Sequence, residues 1–198
     1  MADLFAKGQR KVKDLRSAHA NVVVERSGVK QNWVFDLDLK LGEFRGTIDV
    51  TSGATKVMSQ KIVRANGLTW LMAPEEFWVS AGYPAEGAAK ARGKYVVFKV
   101  AEGNALAERY SVDSVITAID RIRERDVRAV PAESDAEKVT FVASPGTSSE
   151  TRMTFRRSDS QLVGLRSDAA GVKTELVLSK HNDPLDVKFP SPGDVLQP

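Results

Sequence analysis

The chain has 198 residues, 42% of them hydrophobic and 28% charged, with a net charge of +3 and no cysteine. That length and apolar content suit one domain with a substantial core and are too apolar for a disordered chain. Without cysteine there are no disulfides, thiolate metal sites or cysteine nucleophiles, and the unclustered basic excess is not the Arg/Lys stripe of a nucleic-acid binder.

Residues Leu4 to Arg16 are predicted as a helix. Leu4, Phe5, Val12 and Leu15 fall on one face, and Lys7, Arg10, Lys11, Lys13 and Arg16 fill much of the remainder. A basic amphipathic helix can lie on an anionic membrane; packing the stripe on the domain itself is the simpler reading. His19 follows near the end of this helix. From Asn21 the period changes to two. Trp33, Phe35, Leu37, Leu39 and Leu41 alternate with Val34, Asp36, Asp38 and Lys40, and then Phe44, Gly46, Ile48 and Val50 with Arg45, Thr47 and Asp49, the pattern of half-buried strands. A third strand near Lys56 to Arg64 meets a fourth, Leu68 to Met72, across Asn66-Gly67, whose residues supply the positive φ of a tight hairpin.

An apolar segment then interrupts the strands, and two of the three tryptophans, Trp70 and Trp78, lie at its start. Pro74 suits a first helical position and Glu75 and Glu76 a first turn. A short helix over 74–81 would present Phe77, Trp78 and Ala81. Gly82-Tyr83-Pro84 breaks it, residues 85–92 can form a further turn, and a strand runs from Tyr95 to Val100. Ser111 caps a second helix with the stripe Val112, Val115, Ile116, Ile119 and Ile122. After a charged stretch, strands are expected at Val139-Thr140-Phe141, Met153-Thr154-Phe155, Leu162 to Leu165, Val172 to Leu178 and Leu185 to Phe189. The predicted fold is α+β: one large curved antiparallel sheet, a half-barrel of about ten or eleven strands, with helices packed on its concave face and residues 1–198 forming a single domain.

Catalytic chemistry has little to stand on. The two histidines are His19 and His181. His181 and Asp183 could act as base and orienter, but they share a Pro-containing polar turn. Asp36 and Asp38 face outward without further ligands. Gly-X-Ser-X-Gly, Walker-type and Gly-X-Gly-X-X-Gly motifs are absent, and Ser144-Pro145-Gly146-Thr147-Ser148-Ser149 is a loop that no helix follows. No enzymatic activity, metal or cofactor is expected. No apolar run approaches the roughly 18 residues of a membrane span. What remains is apolar surface: a sheet this wide offers more concave face than a few short helices cover.

Several segments carry a resemblance to a known family. The opening helix runs through Ser17-Ala18-His19 into the first strand. Leu68-Thr69-Trp70-Leu71-Met72 is followed by Glu76-Phe77-Trp78 and then by Gly93-Lys94-Tyr95-Val96. Near the end come Leu178-Ser179-Lys180-His181-Asn182-Asp183-Pro184-Leu185-Asp186-Val187 and a Pro-rich tail before Asp194-Val195. In this order and spacing the chain resembles the LppX/LprG-type actinobacterial lipoproteins, a branch of the LolA-like lipoprotein-carrier fold.

The resemblance implies a half-barrel wrapped around helices, enclosing a hydrophobic cavity for the acyl chains of lipids, glycolipids or lipoproteins. It implies no catalytic residues. Trp70, Phe77 and Trp78 would flank the entrance, and the helix of Val115, Ile116 and Ile119 would cross the concave face. Read from the apolar pattern itself, Phe5, Leu15, Trp33, Phe35, Leu37, Ile48 and Val50 are the residues expected to line such a cavity, with Phe98, Phe141 and Phe155. The resemblance also implies a monomer, exported and held at the outer face of the plasma membrane by a lipidated cysteine, with a membrane transporter as partner. That cysteine and the signal peptide are absent from this sequence, and trimming is the expected reason. The alternative reading is an envelope sensor or protein-interaction domain on the same fold with a closed cavity. Its rim would be the charged 120–128 segment, including Arg121, Arg123, Glu124, Arg125 and Arg128.

Overall fold

The computed structural model describes residues 2–110, 112, 116 and 119–196. Among these, the chain forms eleven strands and four helices in the order α1 (Ala2–Lys13), β1 (Ser17–Arg26), β2 (Val29–Asp38), β3 (Glu43–Ser52), β4 (Thr55–Ala65), β5 (Leu68–Met72), α2 (Glu75–Ser80), α3 (Ala85–Ala91), β6 (Tyr95–Phe98), α4 (Val100–Arg109), β7 (Val127–Ala129), β8 (Lys138–Ala143), β9 (Ser149–Arg156), β10 (Leu162–Ala169) and β11 (Val172–Ser179). All eleven strands lie in one antiparallel sheet ordered β6-β5-β4-β3-β2-β1-β11-β10-β9-β8-β7. The α+β half-barrel read from the sequence is therefore the fold.

Short turns explain the topology. At β4–β5, Asn66 and Gly67 have φ of 47° and 76°, the mirror-image turn whose twist matches paired strands. Only β1–β11 joins strands far apart in sequence, His19 lying opposite Ser179; it fuses an N-terminal meander to a C-terminal one. Close approach is possible where β2 meets β3 because residue 46 is glycine. A Cβ there would sit 2.1 Å from both Phe35 Cδ1 and the Val34 carbonyl oxygen.

Several expectations need correction. The first helix stops at Lys13, so His19 belongs to β1. β2 ends at Asp38, and Leu41, beyond it in the turn, is 65% exposed despite continuing the alternation. Helix α2 begins at Glu75 with Pro74 as its N-cap, and Ala81 is exposed. β6 stops at Phe98, and Val100 starts α4, a helix that the sequence pattern did not announce because Gly103 and Asn104 stand in its middle. Likewise β7 lies inside the charged stretch, paired with β8. The strand expected at Leu185 to Phe189 does not form: this segment has no regular structure and lies across the convex side, where Phe189 meets Trp70 edge-on at 5.3 Å. Of the predicted second helix, Ser111 and Val115 lie outside the described residues. Ile116 is helical, its N–H donating to the Val112 carbonyl at 3.1 Å.

Candidate functional site

Residues opposite one another on neighbouring strands point the same way, so register defines the hollow face. One row crosses it through Leu71, Ile62, Gly46, Phe35, Ala20 and Leu178. The next row runs through Ile48, Trp33, Val22, Leu176, Leu165, Met153 and Phe141. Gly46 apart, these residues belong to one continuous apolar cluster or, like Trp33, pack against it.

The helices complete that cluster from above. Phe5 of α1 is buried and meets Phe141 and Phe155 edge-on at 5.4 and 5.9 Å. Trp78 of α2 is fully buried, its indole N–H donating to the Ala73 carbonyl at 3.1 Å, with the Phe77 and Tyr83 rings 5.1 and 5.2 Å away. Val112, Ile116 and Ile119 are buried in the same cluster. Gln9 ties α1 to this central segment, its amide donating to the carbonyls of Ile119 and Ile122 at 3.0 and 2.7 Å.

Phe35, Leu37, Ile48, Val50, Trp78, Ile119, Phe141 and Phe155 are thus gathered as buried members of one interior. Leu15, Trp33, Phe77 and Phe98 are partly buried against it. Val115 lies outside the described residues. Trp70 is the exception: it packs with Val63, Ala65 and Val187 in a separate cluster on the convex side. The reason is parity, since Leu71 faces the hollow and its neighbour in a strand must face away.

The convex face carries charge. His19 Nδ1–H donates to Asp36 Oδ1 at 2.9 Å, and Arg45 Nε donates to Asp36 Oδ2 at 3.2 Å. Burial pushes the Asp36 carboxyl up, but the hydrogen bonds from His19 and Arg45 outweigh it and hold it below the usual carboxylate range. His181 does not face Asp183; its Nε2 lies 2.7 Å from the Leu162 carbonyl oxygen. Among the described residues no group of three His, Asp or Glu side chains could hold a metal ion, and no helix is long and apolar enough to cross a membrane.

The hollow side has polar members that the sequence reading missed. At the end where the β2–β3 and β4–β5 turns lie, Arg64 of β4 borders a cleft of about 330 Å³ with Leu37, Phe44, Asn104, Glu108 and Val112. Toward the opposite end, Trp33 meets Tyr110 edge-on at 5.4 Å, and the Tyr110 hydroxyl, its pKa raised by burial, lies 3.4 Å from Gln60 Oε1. Strand parity was the available signal: Met58, Gln60, Ile62 and Arg64 alternate on one face, so Arg64 follows Ile62 inward.

An open antiparallel half-barrel covered on its hollow side by helices is the LolA-like architecture. LprF from Mycobacterium bovis matches with a TM-score of 0.57 over 96% of this chain and 96% of that one, at 13% identity. The Mycobacterium tuberculosis lipoprotein LppX matches with a TM-score of 0.49 over 94% and 97%, also at 13% identity. MucB in complex with MucA matches with a TM-score of 0.38 over 100% of this chain but 60% of that one, at 14% identity. The likeness to LprF is one of fold. No family model and no curated protein sequence matches the chain.

Proposed function

We propose that this chain is a non-enzymatic lipid-binding domain of the bacterial cell envelope, which holds and passes on lipids or lipidated molecules against its concave face. One observation carries the reading: the apolar rows of a single sheet are covered by short helices rather than by a second sheet. Helices α2 and α3, of six and seven residues, belong to this cover and not to the sheet. An acyl chain that replaces part of this cover gains about 0.8 kcal/mol for each methylene it buries. The lipoprotein resemblance of the sequence adds export and an anchor at the outer face of the plasma membrane to this reading. A transporter that loads or unloads the domain fits the same reading.

Native mass spectrometry and organic extraction of the purified protein test this, together with uptake of a fluorescent fatty-acid probe. A co-purified acyl lipid and saturable uptake are expected. Folded protein that excludes every acyl probe would overturn the proposal. The rival protein-interaction reading draws on the exposed Arg121, Arg123, Arg125 and Arg128. It would take over if charge reversal there abolished capture of an envelope protein while lipid uptake was absent throughout.

A further inference from the structure

One cation on the hollow side, Arg64, stands at a cleft whose walls are Leu37, Phe44 and Val112 and whose rim carries Asp38, Glu43 and Glu108. Arg64 lies in register between Phe44 of β3 and Thr69 of β5. Its Nη1 donates to Thr69 Oγ1 at 3.0 Å and its Nη2 to Asn104 Oδ1 at 2.8 Å. Thr69 is fully buried, and its hydroxyl donates to the Gly103 carbonyl at 3.1 Å. Having given up its one proton there, it can only accept from Arg64. Helix α4 approaches this closely because residue 103 is glycine, where a Cβ would fall 3.2 Å from Thr69 Cβ and Oγ1. The guanidinium is therefore held in one orientation by two neutral acceptors.

Its charge is not matched. Among the described residues Arg64 forms no ion pair, and its two hydrogen bonds leave three of five N–H donors for other partners. A half-buried guanidinium in no direct ion pair can still gain charge-assisted hydrogen bonds from an anionic partner. Asp38, Glu43 and Glu108 border the same cleft and form its acidic rim, but none of them pairs with Arg64. Asp38 accepts from the backbone N–H groups of Lys40 and Leu41, Glu43 accepts from that of Asn66, and Glu108 lies on the exposed side of α4.

We infer that Arg64, oriented by Thr69 and Asn104, binds the carboxylate or phosphate group of an amphiphile whose apolar chain runs past Leu37 and Phe44 into the hollow. The inference rests on the lipid-binding reading and names the head group that reading leaves open. A free anion would meet the acidic rim with no apolar gain to offset it. An anion carried on an acyl chain gains from the apolar walls as well as from the guanidinium. A clasp that merely joined α4 to the sheet would need hydrogen bonds but no charge, and that difference can be measured.

The test compares binding of cis-parinaric acid and its methyl ester to wild type, Arg64→Gln and Arg64→Lys, with melting temperature as a control. Wild type should bind the acid about tenfold more tightly than the ester, the scale of one or two charge-assisted hydrogen bonds. Arg64→Gln should bring the acid down to about the affinity of the ester, whereas Arg64→Lys should keep most of the preference. Millimolar inorganic phosphate should not displace the acid; if it does, the site is one for free anions and the amphiphile assignment falls. Equal wild-type affinity for acid and ester overturns the inference while leaving lipid binding intact, as does a Gln variant that weakens both probes alike. Failure of both probes overturns lipid binding and the inference together. Should the Gln variant not fold, the wild-type acid-to-ester ratio decides, and it should shrink as salt is raised from 50 to 500 mM.

Discussion

Replacing Trp78 by alanine tests whether α2 is pinned into the interior or merely rests on it. Trp78 is fully buried, with Phe77, Tyr83 and Phe98 around its ring at centroid distances of 5.1, 5.2 and 6.4 Å. A buried aromatic of this size removes roughly 200 Å² from water, about 5 kcal/mol at 25 cal/mol per Å². Alanine retains a small part of that, and truncation of buried Phe or Trp costs about 3–5 kcal/mol. The Ala73 carbonyl, which accepts the indole N–H at 3.1 Å, loses its partner and adds about 1 kcal/mol. A total near 4–6 kcal/mol corresponds to a fall in melting temperature of roughly 8–24 °C for a chain of this size. Calorimetry and urea denaturation of both proteins measure it. A fall below about 3 °C would show that α2 contributes little to the packed interior, and would refute the reasoning from burial.

Three further outcomes are expected. Gly46→Ala must part β2 from β3 to clear Phe35 and the Val34 carbonyl, so it should destabilise the protein by more than about 2 kcal/mol, and a melting temperature within 2 °C of wild type would contradict the close approach. Ile116→Asp buries an unpaired carboxylate in the apolar cluster, whereas Lys188 is 76% exposed and beside Asp186; the first should cost several kcal/mol and Lys188→Asp less than about 0.5, so similar urea midpoints would place Ile116 on the wrong face. Because the Asp36 carboxyl is held below its ordinary pKa, its stabilising contribution is complete above the unfolded value near 4 and is lost as pH falls through the depressed folded one. Asp36→Asn should therefore remove about 0.5–1 kcal/mol at pH 7 and less at pH 3; an equal loss at both would rule out the linkage.

Much of the fold was legible because strands declare their faces locally. Phe35, Leu37 and Ile48 sit where their alternation put them, and Asn66-Gly67 turns as its backbone freedom allows. The stripe Val112, Ile116 and Ile119 is buried as its helical spacing required. The errors share a cause. Leu41 kept the beat after the strand had ended, and the segment Leu185 to Phe189 had strand-like residues but packs against Trp70 on the convex side instead of joining an edge of the sheet. Helix α4 escaped notice because Gly103 and Asn104 look like breakers in isolation, yet Gly103 is what lets the helix approach Thr69 and Asn104 is what meets Arg64.

By itself, then, the sequence determined the strand periods, the tight turns and the residues able to bury themselves. Period and turn chemistry depend on neighbours within a few positions, which any reader of the chain can see. Only the tertiary structure decided which cover lay over which face: Trp70 under the C-terminal segment, Trp78 in the hollow, Gln9 bonded to carbonyls more than a hundred residues away. Those choices depend on contacts between distant segments, and local pattern fixes the parity of a side chain without fixing what meets it there.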